Sequence, residues 1–321
     1  MSRAAAVLAI IVGLFLIGFT FAVQLFPRSS DAQVLADRYR PLMSKAGLAD
    51  LRHGFDALVA AGDELSARAE PALQAQLGMS DAEFAAYERR RLPGVVAFDE
   101  QAPAVVKLVD PVIRQMQAGR VDYERADSIP IGFLNFRSAP WLFLGIGLAF
   151  VAVGVFALVR PSTLATVALL VVGLGVALAP VVLDIPSKVD AAVRTTDLGR
   201  AGLAPSTGRR AVASVQLFDA MVEEVRTAVA PTIGEADFDR DFPKLATFAD
   251  QWERTNSAKS HALSDSQVAL ASTFANADKI PLEPIPWLFI VPGAVIAALA
   301  GASLVPALRR RAEPAVAQPA A

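Results

Sequence analysis

Long apolar runs alternate with polar stretches along this chain of 321 residues. Each run is free of Lys, Arg, Asp and Glu in its interior, and a run of about 18 apolar residues is long enough to cross the hydrocarbon core of a bilayer. Because lipid offers backbone groups no hydrogen-bond partner, such runs must be helices. We therefore predict four transmembrane helices, within residues 1–26, 140–159, 163–184 and 286–308.

Two polar stretches separate these spans, at 27–139 and 185–285. In both, apolar residues recur at helical spacing and form single stripes on otherwise polar helices, which is the pattern of helices that pack into bundles. The stripes include Phe55, Leu58, Val105 and Leu108 in the first stretch, and Phe218, Val222, Leu245 and Phe248 in the second. We predict an all-α integral membrane protein with two extracytoplasmic helical-bundle domains, each of three or four helices.

Prolines and glycines suggest where these helices begin and end. Pro93 and Pro243 are expected at helix starts, where a missing N–H is tolerated. Pro71 and Pro111 fall within helical patterns and are expected to kink or break the helices. The segment 195–207, which is rich in Gly, Ser and Pro, is predicted to be a loop.

The positively charged residues beside the spans predict their orientation. Arg3, Arg160 and the Arg309–Arg311 run lie at the same membrane face if the chain crosses four times, and such residues favour the cytoplasmic side. Both termini are then cytoplasmic, and the tail at 309–321 is expected to be disordered. The Ala- and Arg-rich composition suggests a bacterial inner-membrane protein. The first span is longer than the core of a cleaved signal peptide, the alternative interpretation, so we expect it to be retained.

A sequence signature occurs twice in the same order, which predicts a tandem duplication. The segment from Tyr123 to Pro130 matches the one from Phe274 to Pro281, and each precedes a Pro-Trp-Leu-Phe start of a span, at Pro140 and Pro286. Two earlier matches pair Phe55–Val59 with Phe218–Val222, and Leu92-Pro93 with Phe242-Pro243. The chain is thus expected to consist of two span–domain–span repeats.

The repeated signature defines a candidate site where the polar domains meet the membrane. Its Ile-Pro step ends a helix, because proline disfavours helix at the residue before it, and its tryptophan suits the membrane interface. The Asp of each signature is interpreted either as a turn residue or as a shared salt bridge or ligand contact. The candidate junction residues are Asp127, Pro130, Trp141, Asp278, Pro281 and Trp287.

Small residues at helical spacing within the spans predict close helix packing, in the chain or against another membrane protein. The candidate packing residues are Gly173, Gly175, Gly293 and Gly301. Asp184 lies at the outer end of the third span, where it can reach water, and its counterpart in the first repeat is counted as Leu25. The spans lack the interior charge that ion-coupled transporters usually need.

The chain offers little catalytic chemistry. It has no cysteine, so disulfides and thiolate ligands are excluded, and its net charge of −2 does not suggest nucleic-acid binding. His53 and His261 lack ligands at helical spacing, and the acidic segment 235–241 has Phe242 where a calcium loop needs Gly. Arg89–Arg91 is interpreted as a solvated face, and the alternative is contact with anionic headgroups or an acidic partner. We expect no catalytic, cofactor or metal site and no enzyme activity.

These observations favour a non-catalytic scaffold or accessory subunit. Its paired extracytoplasmic domains would bind another membrane or envelope protein, and its spans would pack beside that partner in the lipid bilayer. The alternative is a receptor, or a membrane protein that binds a lipid or another small molecule between the two domains.

Overall fold

The computed structural model describes residues 3–129, 135–202, 205–256, 261 and 270–312. These residues are almost entirely helical and include no strand, which confirms the all-α prediction. The helices are α1 (Arg3–Ala22), α2 (Leu25–Met43), α3 (Lys45–Glu64), α4 (Glu70–Leu77), α5 (Asp81–Arg91), α6 (Pro93–Asp127), α7 (Ala139–Val159), α8 (Thr163–Val182), α9 (Ile185–Gly202), α10 (Pro205–Glu224), α11 (Ala230–Ile233), α12 (Glu235–Asp241), α13 (Pro243–Gln251), α14 (270–277) and α15 (Ile285–Ala312). Within the described chain, π-helical turns lie at Leu65–Ala69, Val225–Val229 and Trp252–Asn256, and a 3₁₀ turn at Phe136–Ser138.

Four of these helices, α1, α7, α8 and α15, are long and apolar enough to cross a membrane. Each of the four predicted spans therefore corresponds to a helix of membrane-spanning length and composition. The helix starts at Pro140 and Pro286 are confirmed as well, since each proline is the second residue of its helix, in α7 and α15.

The chain divides into two compact units, each with its own hydrophobic core. Unit 1 comprises Met1–Ala36, Asp122–Thr196 and Ala275–Ala321, and contains the four apolar helices. Unit 2 comprises Asp37–Val121 and Asp197–Phe274.

In unit 1 the apolar helices pack mainly as two pairs, α1 with α7 and α8 with α15. Buried Phe143 of α7 meets Phe289 of α15 edge to face, with ring centroids 4.7 Å apart, and so links the two pairs. Large apolar side chains also cover the outside of the unit, for example Ile11, Val171 and Leu178. A protein in water rarely exposes so much contiguous apolar surface, whereas lipid solvates it readily.

Unit 2 differs from the expectation of two separate bundles, because its buried residues come from both polar stretches and form one core. Phe98 from the first stretch packs edge to face against Phe218 from the second, at 6.1 Å between centroids. Trp252 then packs edge to face on Phe218, at 5.3 Å. Each helix of a polar stretch carries only one apolar stripe. The helices of the two stretches therefore bury these stripes against each other.

A pair of reciprocal helix caps joins the two stretches within unit 2. The Glu64 carboxylate accepts hydrogen bonds from the backbone N–H groups of Lys244 and Leu245, at 2.8 and 2.9 Å. The Glu224 carboxylate does the same for Gly94 and Val95, at 2.8 and 2.9 Å. Each acceptor therefore serves the first turn of a helix from the other stretch, where free N–H groups and the helix dipole favour an anion.

Prolines at the starts of these capped helices fit the arrangement. Pro93 and Pro243 are the first residues of α6 and α13, as predicted, and their missing N–H leaves the next two donors to the carboxylate. Pro71 does not break the chain of helices, because the π turn Leu65–Ala69 precedes it and Glu70 N–H bonds to the Leu65 carbonyl, five residues back. Such a wide turn accommodates a proline ring that would collide with a regular α-helical turn.

Of two further predictions about helix limits, the kink or break expected at Pro111 does not occur as a break, and the loop expected at 195–207 is wrong. Helix α6 continues through Pro111 without ending there. The predicted loop at 195–207 is helical up to Gly202, and a new helix starts at Pro205. In that segment, the hydroxyls of Thr195 and Thr196 donate to the carbonyls one turn earlier, so these polar side chains are satisfied inside the helix.

We predict that Glu64→Gln and Glu224→Gln each lower the free energy of unfolding by about 2 kcal/mol, because each removes the charge from a paired helix cap. The measurement is chemical denaturation of the detergent-solubilised protein. Glu223→Gln is the matched control, since this exposed neighbour of Glu224 is not part of a cap and should leave stability unchanged. Equal losses for all three variants would contradict the role of the caps.

Candidate functional site

The two Asp-x-Ile-Pro signatures form matching turns in unit 1. In the first, Ser128 N–H bonds to the Arg125 carbonyl and Ile129 N–H to that of Ala126. In the second, Lys279 and Ile280 make the same pair of bonds to Asn276 and Ala277. Helix α6 ends at Asp127 and α14 at residue 277, so the predicted helix stop is confirmed at both places.

A second matched feature lies at the ends of two apolar helices. Gln24 follows α1 and Asp184 follows α8, and they are the non-glycine residues with positive φ in the described chain, at 49° and 55°. L-residues adopt this left-handed conformation at some cost, and it often ends a helix. Here it lets a new helix, α2 or α9, begin directly after the span. Asp184 thus corresponds in geometry to Gln24, one residue before Leu25.

Cations in the first turns of these new helices reach the signature turns in a crossed pattern. Arg28 of α2 donates from Nη1 to the Lys279 carbonyl in the second signature, at 3.0 Å. Lys188 of α9 lies with Nζ 3.5 Å from the Ser128 carbonyl in the first signature. Each cation thus approaches a carbonyl next to the end of a helix, where the dipole favours positive charge.

The predicted interface tryptophans lie beside this region and are largely exposed, Trp141 at 66% and Trp287 at 59%. Trp141 meets Phe26 of α2 edge to face, with 5.2 Å between ring centroids. An exposed indole at the start of an apolar helix is typical of a membrane interface.

Polar bonds tie α6 to the neighbouring helices of unit 1. Arg194 of α9 forms a two-point salt bridge with Asp122 of α6, at 2.9 and 2.7 Å, and this hydrogen bonding lowers the pKa of Asp122. The Tyr123 hydroxyl donates to the Ala36 carbonyl at 2.7 Å. Gln33 accepts from Phe136 N–H at 2.9 Å, just before α7. The region around the signatures is therefore held by many intrachain bonds.

The predicted junction residues that the structure describes lie in this region. Asp127 and Asp278 lie at their turns and both have interaction partners. Pro281 follows the second turn, whereas Pro130 lies outside the described residues. The residues that make the crossed contacts, Arg28 and Lys188, were not anticipated. A sequence feature that could have identified them is that each is the first Lys or Arg after its span.

The predicted packing glycines separate into two groups. Gly173 of α8 and Gly293 of α15 lie at a close backbone approach, since a Cβ on either would come within 2.9 Å of backbone atoms of the other helix. A Cβ on Gly175 would meet nothing within 4 Å, and one on Gly301 only an ordinary contact with Leu170 at 3.8 Å. The equivalent approach of α1 and α7 uses glycines that the sequence did not single out, Gly13, Gly147 and Gly154.

The other side chains considered for chemistry have structural partners. The carboxylate of Asp219 lies 2.6 Å from Nε2 of His261 and accepts from the Trp252 indole at 2.8 Å. The acidic segment Glu235–Asp241 is helix α12, and Arg240 pairs with Asp237 and Asp241 within it. Among the described residues, no group of three His, Cys, Asp or Glu side chains is placed to hold a metal ion.

Comparison of the chain with protein-family models, with curated proteins and with solved structures finds no match.

We predict that Gly173→Leu lowers the free energy of unfolding by about 2 kcal/mol, because its side chain would collide with the backbone of α15. Gly175→Leu is a control on the same helix and should be neutral, since that position has free space. Thermal unfolding in the same detergent measures both variants. A loss for Gly175→Leu as large as that for Gly173→Leu would contradict this assignment of the packing face.

Proposed function

We propose that the chain is a tandem duplication whose two repeats exchange contacts. The support is a set of paired features: the caps from Glu64 and Glu224, the π turns that follow them, and the left-handed residues Gln24 and Asp184. If Glu64 corresponds to Glu224, then Phe218 corresponds to Leu58. The sequence match had instead paired Phe218 with Phe55. The repeats would be related by a twofold axis along the membrane normal.

We further propose a bacterial inner-membrane protein with both termini in the cytoplasm, and with the polar helices of both stretches outside. Its function would be that of a non-catalytic scaffold or accessory subunit that binds another membrane or envelope protein. The observation that supports this most is the use of two carboxylates in unit 2, that of buried Glu64 and that of partly buried Glu224. Glu64 and Glu224 are committed to backbone N–H groups, which suits a rigid binding head better than acid–base chemistry.

Helix α6 offers this head an exposed apolar stripe. Leu108 and Val112 lie one turn apart, and each is 41% exposed. They stay exposed although unit 2 has a large hydrophobic core in which apolar side chains are buried. Protein-binding surfaces commonly present such side chains next to polar ones. The alternative of a small-molecule site between two domains has less support, because residues of both stretches pack directly on each other.

Single-cysteine labelling tests the topology cleanly, because the natural chain has no cysteine. We predict that a membrane-impermeant maleimide added to intact cells labels Glu100→Cys, an exposed position on α6. Arg160→Cys, exposed in the turn between α7 and α8, should be labelled only after the cells are opened. The reverse pattern would place unit 2 in the cytoplasm and refute the proposed orientation.

Photo-crosslinking in native membranes tests the function. We predict that a photoreactive residue at Leu108 or Val112 forms a crosslink to one recurrent membrane or envelope protein, whereas the exposed polar position Gln117 of the same helix does not. Mass spectrometry of the crosslinked band identifies the partner. Crosslinks to lipid alone would favour the receptor or lipid-binding alternative, and uncrosslinked protein at all three positions would count against a scaffold.

A further inference from the structure

In unit 2, three positions of the first polar stretch correspond to three positions of the second. The side chains are acidic in the first stretch and apolar in the second. Glu70 and Ala230 correspond, because each follows a π turn and precedes a proline. Glu88 and Phe238 correspond, because the carbonyl of each accepts the last N–H of its helix, from Leu92 and Phe242. Leu92 and Phe242 also have nearly the same backbone angles, φ −129° and ψ 47° for Leu92 and φ −126° and ψ 56° for Phe242.

The third pair is Asp99 and Ala249, each of which directly follows a buried phenylalanine, Phe98 or Phe248. In the second stretch all three positions are apolar and buried, with Ala230, Phe238 and Ala249 at most 5% exposed. The first stretch has three carboxyl groups instead. Placing carboxylates where an apolar set fits is costly, and such departures are typical of functional positions.

The environment of Glu70 does not compensate for a negative charge. Its Oε1 is buried and has no hydrogen-bond partner. Burial, a hydrogen bond with Asp99, and the charges of Asp99 and Glu88 all raise the pKa of Glu70. Burial and Asp99 also raise the pKa of Glu88.

In the described chain, no cation is among the groups that shift the pKa of Glu70 or of Glu88. Arg68, in the turn before Glu70, pairs with the capping carboxylate of Glu64 at 3.2 Å. Helix α11, which packs on α4, has no ionisable side chain. The three carboxyl groups therefore act chiefly on one another, and a proton among them relieves their repulsion.

We propose that Glu70, Glu88 and Asp99 form a proton-binding switch that fastens α4 to α5 and α6. With the proton bound, the Glu70 carboxyl group shares a hydrogen bond with Asp99 across the helices. When the proton leaves to solvent, like charges face one another and the first half of unit 2 loosens. The apolar counterpart in the second half keeps its packing at any pH. This proposal is independent of the proposed partner.

The direction of the pH effect follows from the raised pKa of Glu70. The unfolded chain releases this proton near the ordinary glutamate pKa of about 4.3, whereas the folded chain holds it to higher pH. Between these two pKa values the folded state binds more protons than the unfolded state, so stability falls as the pH rises. The contribution is fully present only below the ordinary pKa.

The test compares thermal unfolding of the full-length protein in detergent at a series of pH values from about 5 to about 10, a range above the ordinary carboxyl pKa. We expect Glu70→Gln, a neutral side chain of the same shape, to remove more than half of the loss of Tm that the natural chain suffers as the pH rises. Glu100→Gln, an exposed change on α6, should keep the natural slope. A natural slope in Glu70→Gln would overturn the proposal.

Hydrogen exchange locates the effect. At the alkaline end of the series, peptides from α4 and α6 should exchange faster in the natural chain than in Glu70→Gln, whereas peptides from α12 and α13 should exchange alike in both. Faster exchange spread evenly over both sets would overturn a local switch. Stabilisation of the natural chain at high pH by Ca²⁺ or Mg²⁺, absent in Glu70→Gln, would also overturn it in favour of a cation site.

Discussion

The organisation of unit 2 depends on two carboxylates, one buried and one partly buried, that cap helices distant from them along the chain. A helix that begins with proline presents its next two N–H groups to whatever lies in front of it, and burial makes an unsatisfied pair costly. Glu64 and Glu224 each meet that need for a helix of the other polar stretch. The aromatic contacts of Phe98, Phe218 and Trp252 also join the two polar stretches, so polar and apolar contacts favour the same pairing of helices.

Unit 1 follows a different physical rule. Helices in lipid gain little from burying apolar surface against each other, so they associate where their backbones can approach. Gly173 and Gly293 provide that approach for one pair of spans, and Gly13 and Gly147 for the other. Beyond the ends of the spans, Arg28 and Lys188 reach the signature turns and add polar bonds between helices.

The sequence revealed the features that depend on local chemistry. The four spans were predictable because lipid forces long apolar runs to be helical, and the helix boundaries at Pro93, Pro140 and Pro286 follow from a missing N–H. Helix α6 continues through Pro111, where a kink or break was expected, and the loop expected at 195–207 was wrong, because tertiary packing outweighs the local preferences of proline and glycine. The cap acceptors and the crossed cations were missed, since a partner distant in sequence has no local signal. The same limit applies to Gly175, which has the spacing of a packing residue but faces open space.

The exchange of caps also constrains how such a gene can change. A recombination event that replaced one polar stretch with a foreign segment would remove the carboxylate that caps a helix of the remaining stretch. It would also remove the helix that the remaining carboxylate caps. Both members of each Glu–Pro pairing must therefore be inherited together, and the two stretches evolve as one module rather than as exchangeable parts.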